Sequence, residues 1–219
     1  MLEGKPEDID FKGGEFILKN SNKKKTIGEI AFACYLPGTF GDIKSPLPEG
    51  VEPGLVETSF FDPANFSFPA GSHIAEVEID PETGEVKLDK YTAVDDFGTI
   101  VNPTIVEGQV HGGIAQGVGQ ALTENAEYDE SGQLITASYM DYTMPRADNF
   151  PKIKLDYTSK PATSKPLGAK GCGEAGTIAS PPAVMNAVID AVGTDVSMPA
   201  TAEKVWKAMK KNMSKKAAA

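Results

Sequence analysis

Histidine and cysteine are scarce in this 219-residue sequence, which contains two of each. Four-ligand zinc sites and iron–sulfur clusters need a set of cysteine and histidine ligands that this chain cannot supply. A metal bound here must therefore bring its own ligands. The two cysteines, Cys34 and Cys172, lie far apart in the chain, and Met1 is not followed by a charged and then an apolar segment. Both observations favour a reducing, cytoplasmic location.

Long hydrophobic runs and a positive charge balance are also lacking. No apolar stretch approaches the roughly 18 residues that a membrane-spanning helix needs. With 21 basic and 31 acidic residues, the formal net charge is −10, so nucleic acids and anionic membrane surfaces repel the chain. Segment 204–216 carries six lysines, which we interpret as cations near the end of a terminal helix. The composition thus predicts a soluble protein that binds neither nucleic acid nor membrane.

The order of the patterns along the chain predicts an α+β fold, with mixed sheets and packed helices. The first 60 or so residues predict irregular structure apart from a short helix at TIGEIAFACY, with a proline- and glycine-rich stretch over 37–54. Alternation in HIAEVEID and EVKLDKYTAVDD, separated by PETG, predicts a β-hairpin. Further expected elements are a helix over 104–129, a turn at DESG, strands near LITASYMDY and KIKLDYTS, and helices over about 180–191 and 200–212. These elements show no regular βαβ rhythm.

Glycines crowd the stretch LGAKGCGEAGTIASPP, residues 167–182. Three of them form a G-x-G-x-x-G pattern at positions 171, 173 and 176. A dinucleotide-binding fingerprint needs a strand directly before such a pattern and an acidic residue about 20 positions after it. A proline-broken loop precedes the glycines here, and the next acid, Asp190, falls inside the following helix. The context therefore argues against a dinucleotide fold.

The same stretch has the features of an anion-binding loop. Glu174 lies just before a predicted helix, whose first backbone N–H groups point towards the loop. Glycines let the backbone approach a ligand closely, and Lys170 adds a positive charge. The alternative is a simple glycine-rich turn, in which Glu174 interacts favourably with the helix dipole by about 0.3–1 kcal/mol. Spacing alone leaves both interpretations open.

A second unusual segment is the glycine-rich helix predicted within VNPTIVEGQVHGGIAQGVGQA, residues 101–121. Each interior glycine costs a helix about 1 kcal/mol relative to alanine, so a helix that retains five of them predicts a close neighbour, either a ligand or another backbone. Gln109, Gln116 and Gln120 are candidate amide donors towards such a ligand. Packing against another helix explains the pattern equally well.

His111 and Cys172 are weaker candidates for chemistry. A single histidine such as His111 is more often a satisfied structural residue than a base. The Cys172 thiol, beside Lys170 and near a helix N-terminus, has the setting of an activated nucleophile. However, neither histidine is close to it in sequence, so this role depends on the fold.

Several segments together resemble the molybdenum-binding large subunit of the xanthine oxidase family of hydroxylases, in its carbon monoxide dehydrogenase large-chain branch. The similar segments run in the family's order from about Phe68 to Asp190. They are FPAGSHIAEVEIDPETGEVKL, AVDDFGTIVNPTIVEGQVHGGIAQGVGQAL, GQLITASYMDYTMPRA, SKPLGAKGCGEAGTI and SPPAVMNAVIDA.

The resemblance implies a C-terminal molybdenum cofactor-binding domain. Molybdenum would be held by the dithiolene of a molybdopterin, in its cytosine dinucleotide form, without direct protein ligands. The family's base beside the metal corresponds to Glu174, and the glutamine that hydrogen-bonds at the cofactor corresponds to Gln109. Cofactor contacts are further implied for Asn102 and for the loop residues Lys170, Gly171, Cys172 and Gly173. Enclosure raises the pKa of a glutamate and neighbouring N–H groups lower it, so such a loop is suited to proton transfer.

The resemblance also implies partners, because family large subunits are several times longer than this chain. We expect the remaining N-terminal part of the large subunit, an FAD-binding medium subunit and an iron–sulfur [2Fe-2S] small subunit, acting on a small-molecule substrate. The chain is predicted to be one domain or fragment, with an irregular segment 1–64, a core 65–212 and a basic tail 213–219. A non-catalytic scaffold that keeps the fold without turnover is the alternative.

Overall fold

The computed structural model describes residues 1–35, 47 and 51–217, with side chains described up to residue 214. The chain divides into two compact units, Met1–Asp62 and Pro63–Ala219. Most of the proline- and glycine-rich stretch 37–54, and the side chains at the end of the basic tail, lie outside the described residues.

The first unit contains a small antiparallel sheet followed by a helix. Its strands pair in the order β1 (Ile9–Lys12), β2 (Glu15–Leu18) and β3 (Lys24–Thr26). Helix α1, Ile27–Tyr35, confirms the short helix predicted there. The expectation of irregular structure is wrong for the three strands. They have only three or four residues each and little burial, so they lack the alternation that would have predicted them.

The second unit is built on a three-stranded sheet in the order β4-β5-β6. Strands β4 (Ala70–Ile79) and β5 (Val86–Asp96) form the predicted hairpin. Strand β6, Lys154–Thr158, confirms the prediction at KIKLDYTS and pairs parallel to β5. The parallel pairing requires a crossover, and the chain between β5 and β6 includes a long helix. The sheet is therefore mixed, as predicted.

Three helices complete the second unit: α2 (Pro103–Leu122), α3 (Ala175–Val192) and α4 (Ala202–Ala217). Helix α2 ends seven residues earlier than its predicted end, at a cap where the Thr123 and Glu124 N–H groups both donate to Gly119 O. The predicted turn at DESG is confirmed by the Asp129 carboxylate, which accepts N–H groups from Ser131 and Gln133.

Two sequence predictions in this region are wrong. The strand expected near LITASYMDY is reduced to a single bridge between Tyr128 and Leu134, and Tyr139 and Met140 behind it are exposed. A segment with alternating apolar residues does not form a strand when neither of its faces is buried.

Helix α3 starts at Ala175 rather than near position 180, so Pro181 and Pro182 lie inside it. Proline is common at helix starts, and packing of the first turns of α3 against α2 overrides that preference here.

The hydrophobic core lies between the sheet and the helices. Its largest fully buried apolar side chains come from β5, α2, α3, α4 and the turn after β5; they are Tyr91, Phe97, Val110, Ile114, Val184, Val188 and Val205. Since the described part of the chain contains two small sheets and four α-helices without a repeating βαβ order, the predicted α+β class is confirmed.

Candidate functional site

The glycine loop before α3 is attached to the turn that follows β5. Gly98 and Ala169 form an antiparallel bridge, and the Lys170 N–H donates to Phe97 O at 2.8 Å. Gly168 has a φ of 67°, and a Cβ there would lie 2.6 Å from the Pro161 side chain. Glycine is therefore required at this position by both backbone conformation and space. The loop starts from a fixed point next to the sheet.

An ion pair strengthens this attachment. Lys170 Nζ lies 2.7 Å from Asp96 Oδ2, with the two side chains only 16% and 12% exposed. The other Asp96 oxygen accepts the N–H groups of Gly98, at 2.9 Å, and Lys160, at 3.0 Å. The ammonium group of Lys170, followed by these two N–H donors, lowers the pKa of Asp96 to about 2. The Lys170 charge, which the sequence suggested for anion binding, is thus already paired with Asp96.

Gln109 joins helix α2 to the end of the same loop. Its Nε2 donates to Gly173 O at 2.8 Å. The next residue, Glu174, is the N-cap of α3; its side chain is exposed and makes no cap hydrogen bond with the described residues. The structure therefore brings Gln109 and the loop residues 170–174 together, and it leaves the Glu174 carboxylate free of a capping role.

Four of the five glycines of α2 fall into two groups. Gly113 and Gly117 face α3, where a Cβ at Gly117 would lie 1.9 Å from Ser180 Oγ and one at Gly113 would lie 2.9 Å from Thr177 N. By contrast, a Cβ at Gly108 or Gly112 would meet no described atom within 4 Å. Packing against another helix, one of the two predicted explanations, thus accounts for Gly113 and Gly117. Gly108 and Gly112 face open space.

The loop has the same open character. A Cβ at Gly171 or Gly173 would also meet none of the described atoms within 4 Å. The backbone N–H groups of Gly171, Cys172 and Gly173 donate to no acceptor within the described part of the chain. Unpaired N–H groups beside unobstructed backbone are suited to bind an anionic ligand.

Other predicted site residues are engaged in local structure. Asn102 is the N-cap of α2, and its Oδ1 accepts the Ile105 N–H at 3.2 Å. His111 Nδ1 lies 2.8 Å from Glu107 O, one helical turn earlier, which is a structural contact. The Gln116 amide oxygen lies 3.2 Å from the Thr177 hydroxyl, while Gln120 is exposed. The half-buried Cys172 packs against the hydrophobic core.

Sequence reasoning missed a buried polar cluster on the core face of the sheet. His73 Nδ1 lies 2.8 Å from the Tyr91 hydroxyl, and His73 Nε2 lies 3.2 Å from Asp95 Oδ1. Burial, and then the charge of Asp95, raise the pKa of Tyr91. His73 thus lies between the Tyr91 hydroxyl, which can donate or accept, and the Asp95 carboxyl group. The strand pairing could have indicated this cluster: His73 pairs with Ala93, two positions from Asp95, so both side chains lie on the same face of the sheet.

A cavity of about 1100 Å³ lies elsewhere in the second unit, at the hairpin turn and the end of α2. Its lining includes Asp80, Leu122 and Phe150, and it includes no predicted site residue. The candidate site is instead an open surface around Gln109, the loop and Glu174. Residues 1–35, 47 and 51–217 contain no group of three or more His, Cys, Asp or Glu side chains that could hold a metal ion.

The family of the chain is decided by comparison with known proteins. Residues 1–151, which include Gln109, match the model of the molybdopterin cofactor-binding domain. The chain belongs to this family. It corresponds to part of the molybdopterin cofactor-binding domain in the C-terminal region of large chains of the xanthine oxidase family, similar to those of carbon monoxide dehydrogenase.

Three similar proteins illustrate the range of relatives. The carbon monoxide dehydrogenase large chain of Hydrogenophaga pseudoflava is 38% identical over 217 residues, and the nicotine 6-hydroxylase large subunit of Paenarthrobacter nicotinovorans is 40% identical over 215 residues. These alignments cover 97% and 96% of this chain, and 26% of each relative. The crystal structure of quinoline 2-oxidoreductase from Pseudomonas putida 86 matches with a TM-score of 0.84 at 35% identity, covering 95% of this chain and 26% of that one.

The chain is therefore homologous to large subunits of molybdenum-dependent oxidoreductases and spans about a quarter of their length. The relatives' names include a large chain, a large subunit and a subunit of a dehydrogenase complex. Among the described residues, no helix is long and apolar enough to cross a membrane.

Proposed function

We propose that this chain forms the cofactor-side part of a molybdenum hydroxylase or dehydrogenase, with Glu174 as the general base. The observation that carries the proposal is the hydrogen bond from Gln109 Nε2 to Gly173 O. It brings the predicted cofactor glutamine to the residue that directly precedes the predicted base. A scaffold without turnover has no need for a carboxylate that is left out of its own helix cap.

The residues of the site fit a molybdopterin. Open space lies over Gly108, Gly112, Gly171 and Gly173, so a bulky ligand can reach the backbone there without Cβ obstruction. The loop N–H groups would hold its anionic part, and the Gln109 amide keeps acceptor capacity on its oxygen. Bound molybdenum would supply two-electron redox chemistry, which this chain's side chains cannot supply themselves.

The role of the chain's own residues follows from this arrangement. Glu174 would accept the proton that is released during oxidation of the substrate, at its carboxylate oxygens. Gln109 and the loop from Lys170 to Gly173 would orient the base, and Asn102 would do so indirectly by capping α2.

We infer that the active enzyme contains the rest of the large subunit, an FAD-binding subunit and a [2Fe-2S] subunit, with the cofactor in its cytosine dinucleotide form. The chain spans 26% of its relatives, and its Glu174 is exposed, which supports a site that other segments complete. The substrate is a small molecule, and the cytoplasm remains the proposed location.

The base is tested by Glu174→Gln in the complex that contains this chain. General base catalysis contributes on the order of a hundredfold or more, so turnover should fall by that factor while molybdenum content is unchanged. Glu203→Gln is the matched control, because Glu203 is an exposed glutamate in the first turn of α4, paired with Lys207. Equal turnover in Glu174→Gln and wild type would contradict the assignment.

A further inference from the structure

Asp96 connects three segments that meet at the end of β5. Its Oδ1 accepts one N–H group from the turn after β5, at Gly98, and one from the segment after β6, at Lys160. Its Oδ2 accepts from Lys170 in the glycine loop, 74 positions away. A largely buried carboxylate with three donors is well satisfied. Removing it leaves three donors without their acceptor.

We propose that Asp96 is a positioning residue for the Glu174 loop, acting through its ion pair with Lys170. The pair holds the first part of the loop, while the Gln109 amide holds its last part at Gly173. This inference rests on the proposed function of Glu174 as the base. It assigns Lys170 a role within the chain, as the partner of Asp96, instead of a direct contact with an anionic ligand.

The loop needs such anchors because of its composition. Between Lys170 and Glu174 stand Gly171, Cys172 and Gly173, and the two glycines have no packing partner for a side chain among the described residues. Glycine has the largest backbone freedom to lose on ordering. A base is effective only when it is held close to its productive geometry. The two anchored residues, Lys170 and Gly173, are three positions apart and restrict the position of Glu174 without contacting its carboxylate.

The two roles of Lys170 make opposite predictions for Asp96→Asn. If Asp96 positions the loop through Lys170, removing either charge loosens the loop, and removing both loosens it no further. If Lys170 instead binds an anionic ligand directly, Asp96→Asn frees the ammonium group and ligand retention is kept or improved. A double-mutant cycle separates these cases because the two side chains are in direct contact.

The test is hydrogen exchange of the full chain for wild type, Asp96→Asn, Lys170→Met and the double variant. Two hydrogen-bonded amides report on the attachment of the loop: the Lys170 N–H donates to Phe97 O, and the Thr99 N–H donates to Gly168 O. Their exchange should rise on the order of tenfold in each single variant, since a hydrogen bond to a charged group is lost. The double variant should match the single variants. Glu76→Gln, which removes an exposed ion pair to Lys90, is the control and should leave loop exchange unchanged.

Unchanged loop exchange in a folded Asp96→Asn variant would overturn the inference. Loss of molybdenum in Lys170→Met but not in Asp96→Asn would also overturn it. If Asp96→Asn does not fold, Lys170→Met and Lys170→Arg provide the test. The arginine variant should keep slow loop exchange, and the methionine variant should lose it. Equal exchange in both variants would contradict the inference. Exchange does not depend on turnover, so a failure of the Glu174 assignment remains distinguishable.

Discussion

The Gln109 side chain makes a contact between residues 64 positions apart, from α2 to the loop before Glu174. The Gln109 amide therefore links α2 to Gly173, the residue that precedes the proposed base. Such a contact adds little to global stability, because net hydrogen-bond contributions are about 1 kcal/mol. Its importance lies in the local position of the loop.

We therefore predict that Gln109→Ala lowers molybdenum content while the free energy of unfolding changes by less than about 1 kcal/mol. Gln120→Ala is the matched control, since Gln120 is exposed on the same helix. Metal analysis and urea unfolding of the two variants provide the measurement. Molybdenum content equal to that of wild type in Gln109→Ala would count against a cofactor role.

The Asp96 carboxylate gives a prediction for pH. Its pKa is lowered to about 2, first by Lys170 and then by the N–H groups of Lys160 and Gly98, whereas an unfolded aspartate titrates at about 3.9. The stabilisation by the ionised group is therefore complete above about pH 4 and is lost as pH falls through about 2. The stability difference between wild type and Asp96→Asn should be constant near pH 7 and should shrink between about pH 4 and about pH 2.

Urea unfolding at several pH values measures this difference directly. Glu76→Gln supplies the comparison for the loss of a carboxylate from an exposed pair, where the difference at pH 7 should be small. A difference for Asp96→Asn that stays constant down to about pH 2 would contradict the assigned cause of the lowered pKa.

At the scale of elements, the contact between α2 and α3 depends on small residues. Gly117 lies against Ser180 and Pro181, with a Cβ position 2.7 Å from Pro181 Cδ, whereas Gly112 faces open space. The rigid proline ring cannot move aside cheaply. The same helix therefore offers one position where alanine is excluded and one where it is accommodated.

We predict that Gly117→Ala destabilises the chain by about 1–3 kcal/mol through overpacking. Gly112→Ala should stabilise it by about 1 kcal/mol, because alanine is the better helix former. In the complete enzyme Gly112→Ala should nevertheless reduce molybdenum content if the open face receives the cofactor. Urea unfolding and metal analysis check both variants, and destabilisation by Gly112→Ala in the isolated chain would show that the face is covered.

Elements with strong periodicity were predictable from the sequence, and those set by packing were not. The β4–β5 hairpin and α2 follow from alternation and from a long helical pattern. The start of α3 does not follow from the sequence, because proline is common at helix starts, whereas close packing of Gly176 on α2 keeps the turns before Pro181 and Pro182 helical. The short strands β1 to β3 have almost no sequence signal because they bury little.

The candidate site, too, was only partly predictable from the sequence. The Gln109 and Glu174 positions were predicted through the family resemblance, and the structure places their segments together. The pairing of Lys170 with Asp96 was not predictable, since a long-range contact between charged residues leaves no periodic pattern in one sequence. The cluster of His73, Tyr91 and Asp95 was missed for a similar reason: each residue alone is unremarkable, and only strand pairing brings them together.

At the scale of the whole molecule, the proposed function depends on the small share of its relatives' length that the chain spans. It spans 26% of the relatives that it matches, and the proposed base, the proposed cofactor glutamine and the open glycines are all exposed. Closing an active site expels water from around its reacting groups. We therefore expect the chain to be inactive alone and to acquire activity only with the segments that cover this surface.

The most direct measurement is molybdenum and pterin analysis of the chain purified from its native source, together with the proteins that accompany it. We predict molybdenum and a pterin dinucleotide in a complex with larger partner chains, including FAD and iron–sulfur subunits. A polypeptide that purifies alone and without cofactor would contradict a role in molybdenum catalysis and would favour a scaffold that keeps only the fold.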